Sequence, residues 1–200
     1  MVWKPDYVTL AELKGFVSIS DATDDVYLPL AITAASRAVD QHTGRQFGQV
    51  AAAETRRYTA RWSRQLSRWV VVFDDLQDVT GLAVTVAGGT VDVFELQPVN
   101  ALKVGKPYER LLIEPESAAR PTGTEENEVT MLAKWGWLQP WPAAVKEATL
   151  LQSSRLFARR TSPYGVAGST EFGTGLRLLS RLDPDVAVSL RDYIRWWAAA

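Results

Sequence analysis

Apolar residues in this chain recur with helical spacing near both ends and with strand spacing between them, and that change of period constrains the fold most. Thr9-Leu10-Ala11-Glu12 is a capping box, with a hydroxyl placed to accept from the third helical amide and a carboxylate placed to reach back. A helix of about two turns is expected to follow, stopped by Gly15. Asp24 or Asp25 is expected to cap a second helix, with Pro29 tolerated in its first turn. Val26, Leu30, Ala34 and Ala38 recur every four residues beside Tyr27, Ala31, Ala35 and Val39, an alanine-rich stripe that lets a partner helix approach closely. Gly44 stands where a left-handed C-cap is expected.

From about residue 55 the pattern turns to strands. Arg57, Arg61, Arg64 and Arg68 fall on one helical face, yet Arg56–Ala60 also suits an edge strand, and we read a strand, a loop and then a strand at Trp69–Phe73. Val79–Val86 leads through Ala87-Gly88-Gly89-Thr90 into Val91–Leu96, a hairpin signal. Leu111–Ile113 and Val129–Ala133 are further strands, separated by a polar loop. Helical signals return with Pro142 at a first helical position, in a helix running to about Arg160. Residues 161–175 read as a loop, and Asp183-Pro184-Asp185 opens a last helix carrying Val186, Leu190, Ile194 and Trp197. The fold class is α+β: a helical frame (an N-terminal helix pair, the long helix after residue 142, a C-terminal helix) around a small antiparallel β-rich insertion. We divide one domain, 1–200, into 1–54, 55–138 and 139–200.

The chemistry-bearing residues are sparse. Gly105-Lys106 is followed by Pro107 and lacks the upstream glycine of a phosphate loop. Gly88-Gly89 and Gly173-Thr174-Gly175 lack the strand-to-helix setting of a dinucleotide site. There is no cysteine, so thiolate metal sites are excluded, and the single histidine, His42, sits where a helix end favours a positive charge. Asp24-Asp25 and Asp74-Asp75 are the acidic pairs; the second is expected to serve a turn after a strand. No catalytic, cofactor or metal residue is assigned, and the chain is not expected to be an enzyme. A small hydrolase using Asp74-Asp75 or His42 is the weakest rival.

MVWKPDYVTL has no basic stretch leading into an apolar one, and no apolar run approaches the ~20 residues that span a bilayer, so neither a leader nor a membrane partner is expected. A formal net charge of −1 argues against a general phosphate-neutralising nucleic-acid binder but leaves room for a local patch. Arg56, Arg57, Arg61, Arg64 and Arg68 form such a patch, interleaved with Tyr58, Trp62 and Trp69. Arginine among aromatics grips single strands by charge and stacking. It equally suits a solvated strand face or a subunit interface with Glu125, Glu126 and Glu128.

The strings VTLAELKGFVSI and DDVYLPLAITAASRAVDQHTGRQF resemble the start of head–tail adaptor (connector) proteins of tailed double-stranded DNA bacteriophages. VVVFDDLQDVTGLAVTVAGG is similar to that family's strand, acidic turn and valine-rich hairpin. EVTMLAKWGWLQPWPAAVKEATLLQSSRLFARR resembles its strand, Gly-aromatic turn, proline and long helix, and LDPDVAVSLRDYIR its closing helix. The resemblance implies a structural subunit of a homo-oligomeric ring of about a dozen copies in the virion neck. Such a ring docks beneath the portal protein and extends the DNA channel. It meets a head–tail stopper or tail protein on its other side, and DNA passes through its lumen without sequence-specific contact. The subunit would be made in the host cytoplasm and need no cofactor. The C-terminal part is expected to grip the portal, which makes Arg191, Tyr193, Ile194, Arg195, Trp196 and Trp197 the candidate portal or subunit interface. The five arginines are the candidate lumen or subunit contacts, or, on the alternative reading, the face of a DNA-binding module.

Overall fold

The computed structural model describes residues 3–161, 166–167, 176–177 and 183–195. It is α+β, and the chain splits into two compact units: Met1–Lys4 with Gln46–Pro140, and Pro5–Arg45 with Trp141–Ala200.

The first unit is β-rich. Strands β1 (Glu54–Tyr58), β8 (Val129–Lys134), β4 (Asp78–Val86) and β5 (Gly89–Thr90) form one antiparallel sheet in that order. Strands β2 (Ala60–Ser63), β3 (Arg68–Leu76), β7 (Tyr108–Ile113) and β6 (Phe94–Gln97) form the other. A single residue, Thr59, separates β1 from β2, so the chain changes sheet there. Alternation explains the packing: Val129, Met131 and Ala133 of β8 are buried while Leu132 between them is exposed. With Val84 and Val86 of β4, Val71 and Phe73 of β3, and Leu111 and Ile113 of β7 they make one core between the two sheets. Each such side chain larger than alanine stabilises the unit by roughly 1.5–3 kcal/mol.

Three expectations are corrected in this unit. The arginine-rich segment is two short strands, β1 and β2, followed by a tight turn before β3. The hairpin after β4 is short: Ala87 (φ 49°) and Gly88 (φ 81°) make the primed turn, but only Thr85↔Thr90 and Val86↔Gly89 pair. Asp92 then accepts from the Ser117 hydroxyl (2.8 Å) and the Ala118 amide (3.1 Å) as the chain departs, and β6 pairs with β7 in the other sheet. Finally, Asp74 and Asp75 lie inside β3 rather than in a turn.

Trp135-Gly136-Trp137 pins the unit after β8. The Gly136 amide donates to Asp75 O at 2.7 Å, and Gly136 O accepts from the Gln77 amide at 3.1 Å. On either side, the Trp137 amide reaches Gly48 O (3.0 Å) and the Val50 amide reaches Trp135 O (3.0 Å). Both indoles are buried, and their N–H groups donate to Glu54 O (2.8 Å) and to the Asp75 carboxylate (2.7 Å).

The second unit is helical. Helix α1 (Leu10–Val17) has the full capping box, Glu12 N to Thr9 Oγ1 at 3.3 Å and Thr9 N to Glu12 Oε2 at 2.8 Å. It does not stop at Gly15; Ser18, in the left-handed region (φ 58°), caps it. Helix α2 (Leu28–Thr43) starts at Tyr27 without a side-chain cap. The carboxylates expected to cap it are engaged elsewhere, Asp25 by Lys14 (2.7 Å) and Asp24 by Arg160 (2.6 Å). Pro29 sits in the first turn and Gly44 (φ 65°) is the left-handed cap, as expected.

The buried face of α2 is Leu28, Ala31, Ile32, Ala35, Ser36, Val39, Asp40 and Thr43. Half of the expected stripe, Val26, Tyr27, Leu30 and Ala34, is exposed instead. Helix α3 (Ala143–Ala158) packs on α2 and starts one residue later than the sequence suggests, with Pro142 at the N-cap position. Its buried polar residues Thr149 and Ser153 donate to carbonyls four residues back, as Ser36 and Thr43 do in α2, so small hydroxyls enter the contact already satisfied.

A two-residue pair, β9 (Val166–Ala167) with β10 (Leu176–Arg177), falls in and just after the segment expected to be a loop. Helix α4 (Pro184–Ser189) has the expected start, Asp183 accepting from the Asp185 amide at 2.8 Å. It is shorter than expected: a 3-10 turn at Arg191–Tyr193 and an extended Ile194 follow. The C-terminal end of α2 captures the chain there. Thr43 O, a carbonyl freed at the helix end, accepts the Arg195 amide (2.8 Å), and Arg45 Nε donates to Tyr193 O (2.5 Å).

Lys146 of α3 reaches the Glu12 carboxylate of α1 and, with the Thr9 amide, pulls it from the usual 4.5 to about 2. A lowered carboxyl stabilises the fold above its unfolded value and ceases to do so as pH falls through the folded value. Glu12 is partly exposed, so solvent screening limits the pair to about 1 kcal/mol. The stability difference between the parent chain and Glu12→Gln should therefore be full above about pH 4.5 and be lost as pH falls through about 2. Denaturant titrations across that range check this, and a flat difference would refute it.

Candidate functional site

Four of the five arginines lie on strands of two sheets, Arg56 and Arg57 on β1 and Arg61 and Arg68 on β2 and β3, because the chain changes sheet at Thr59; within β1, strand periodicity turns Arg56 and Arg57 to opposite faces. Arg56 points inward from β1. Its guanidinium lies 4.7 Å from the Trp3 ring centroid and 5.1 Å from that of Trp135, and it pairs with Asp74 (2.7 Å) and Glu54 (3.3 Å). Tyr58 donates to the same Asp74 oxygen (3.0 Å); burial, then the Asp74 charge, push its phenol above the usual value. Arg57 points outward and donates through Nε to Asn127 O at 3.1 Å. Arg61 on β2 and Arg64 in the following turn are exposed. Arg68 on β3 is held between Glu95 (3.0 Å) and Glu114 (2.8 Å). The single helical face suggested by the 57-61-64-68 spacing does not exist, and two of the five cations are neutralised by neighbours.

Arg57 shares an open cleft of about 340 Å³ with Val86, Ala87, Gly88, Arg120, Thr122, Glu125, Glu128 and Thr130. Glu128 accepts from the Thr122 and Gly123 amides (2.9 and 3.0 Å) and so shapes the cleft wall. Of the five arginines, Arg57 alone lines this cleft with Glu125 and Glu128.

In the C-terminal set, Arg191 is exposed, Tyr193 and Ile194 are half-buried, and Arg195 is buried with 8% of its surface accessible. Arg195 therefore packs inside the helical unit rather than standing on its surface. Trp196 and Trp197 lie outside the described residues.

Of the groups considered for a hydrolase, Asp75 is buried and accepts the Trp137 indole N–H, and Asp74 serves Arg56 and Tyr58. Among the described residues no group of three or more His, Asp or Glu is placed to hold a metal, and no helix is long and apolar enough to cross a membrane.

Two surfaces were missed in the sequence. Val26, Tyr27 and Leu30 of the helical unit are 74%, 50% and 67% exposed. In the β unit, the β6–β7 connection exposes Val99, Leu102 and Val104. The only sequence hint of the second was a run of aliphatics between Pro98 and Gly105, in a segment without strand or helix periodicity. The fold and these surfaces define an α+β protein with exposed apolar and charged faces. No protein-family model matches the chain, and no curated protein sequence matches it.

Proposed function

We propose that this chain is a head–tail adaptor of a tailed double-stranded DNA bacteriophage, a helical frame carrying a β insertion. Copies of it form a ring in the neck, dock beneath the portal, extend the DNA channel and present a surface to the next neck or tail protein. The sequence resemblance across most of the chain motivates this reading. The observation that carries it is an exposed apolar patch where α2 begins: Val26 and Tyr27 just before the helix, and Leu30 and Ala34 on it, face solvent in the isolated chain while the rest of its apolar residues are buried in its own unit. A ring subunit needs such a patch, because its neighbours cover it. The workplace would be the head–tail junction of the virion, with non-specific contact to passing DNA, no cofactor, no membrane and no catalysis.

The DNA-binding alternative rests on Arg57, Arg61 and Arg64, the exposed members of the cluster. It calls for affinity that falls steeply with salt.

Electron microscopy of virions, or of purified chain mixed with portal, tests the adaptor reading. A ring of this chain stacked on the portal is the expected image. Trp196→Ala with Trp197→Ala should abolish docking while leaving a folded subunit. No ring, with salt-sensitive binding to DNA instead, would transfer the assignment to the alternative.

A further inference from the structure

The stretch from Ala60 to Trp69 contains three arginines, two tryptophans and no carboxylate. It folds as the β2–β3 hairpin, with β2 at the edge of its sheet. Pairing from Ala60↔Val71 to Ser63↔Arg68 holds it, and at the turn the Leu66 amide donates to Ser63 Oγ at 3.3 Å. The hairpin is thus ordered, yet Arg61, Trp62 and Arg64 are exposed, Trp62 at 44%. The Trp62 ring meets that of Trp69 at 5.2 Å between centroids, with the planes 67° apart. In a tilted pair of this kind Trp69 covers at most one face of Trp62, which leaves ring surface on which a flat partner can stack.

The charges around Trp62 are available as well. The carboxylates on the neighbouring strand ends, Glu95 and Glu114, are both engaged by Arg68, at 3.0 and 2.8 Å. Arg61 and Arg64 have no such partner among the described residues. Neither has Arg110 of β7, which is exposed on the same outer face of the sheet as Arg61, two strands across and two residues along. Unpaired guanidinium groups beside an open indole call for a partner that offers negative charge and flat rings together. A duplex presents phosphates but keeps its ring faces stacked inside, whereas a single strand presents both.

We propose that this hairpin binds single-stranded nucleic acid, with Trp62 stacking on a base and Arg61, Arg64 and Arg110 meeting phosphates. The contact needs no second copy of the chain, so it goes beyond the ring reading. Arg57, which belongs to the other sheet, takes no part in it.

Anisotropy of a short fluorescein-labelled oligothymidylate, titrated with the full chain, reads the contact. Binding is expected at about 20 mM salt, with log K falling against log salt at a slope of about −2, three phosphates at about 0.7 each. Arg110→Ala should bring the slope to about −1.4, and Arg57→Ala should leave it unchanged. Trp62→Ala should weaken binding about tenfold without altering the slope, and Trp62→Phe should recover most of that loss. Any binding to a duplex of the same length should be insensitive to Trp62→Ala. An affinity for the oligomer that ignores Trp62→Ala, or a loss on Arg57→Ala as large as on Arg61→Ala, would overturn the site. No binding at low salt would overturn it too, and rings of such a chain on the portal would leave the adaptor reading standing.

Discussion

Gly136→Ala should cost the β unit on the order of 4 kcal/mol, enough to abolish cooperative folding in a marginal domain. Two effects add. The residue has φ 114°, where any side chain is strained, and a Cβ there would lie 1.9 Å from Gly48 O and 2.8 Å from Gln49 Cα. Backbone atoms cannot swing aside as a side-chain tip can. The strand around Gly48 would have to retreat, breaking the bonds from Trp137 N to Gly48 O and from Val50 N to Trp135 O. Gly81→Ala separates the terms: its φ of 74° is also unfavourable, but nothing lies within 4 Å of the added carbon. That variant should lose only about 1–2 kcal/mol. Urea unfolding followed by tryptophan fluorescence measures both, and equal losses would show that crowding at Gly136 is unimportant.

Asp40→Ala should destabilise the helical unit by about 3–5 kcal/mol, because it strands groups that the carboxylate serves in a buried site. The Asp40 side chain is 5% exposed, forms an ion pair with Arg37 one turn earlier (3.0 Å) and accepts the Tyr7 hydroxyl. Tyr7 is itself 1% exposed and packs edge-on against Trp141, with ring centroids 5.2 Å apart. The Asp40 carboxylate thus ties the segment before α1 to the α2–α3 contact. Tyr7→Phe keeps the ring packing and removes one hydrogen bond, so its loss should be about 1 kcal/mol. Circular dichroism at the helical band during denaturation checks the pair. An Asp40→Ala loss no larger than that of Tyr7→Phe would mean that Arg37 finds solvent readily.

Features decided within one turn of chain were legible beforehand. The Thr9–Glu12 box, the Gly44 cap and the Asp183-Pro184 start depend on neighbours a few residues away, and the structure has them. Misreadings arose where a distant residue claimed a group. Asp24 and Asp25 looked like caps, but Arg160 and Lys14 hold them. Asp75 looked like turn chemistry, but its carboxylate belongs to the indole of Trp137, far along the chain. The last helix had the spacing to continue to Trp197, yet Thr43 O takes the Arg195 amide and ends it early. The arginines posed a different difficulty. Their spacing suits a helix, and only the register, with Arg61 opposite Val70 and Arg57 opposite Thr130, assigns them to separate sheets. The exposure of Val99, Leu102 and Val104 was hidden because aliphatic residues in a loop are indistinguishable by pattern from buried ones.

The backbone crosses between the two units at Lys4–Pro5, Arg45–Gln46 and Pro140–Trp141, and this arrangement orders events during synthesis. Helices α1 and α2 leave the ribosome early, but Leu13, Leu28 and Ile32 lack Leu150 and Phe157, which pack on them, until the whole β unit has followed. The β unit has its own core and is complete when Pro140 emerges. On these contacts the β unit is expected to fold first and the arrival of α3 to complete the helical unit.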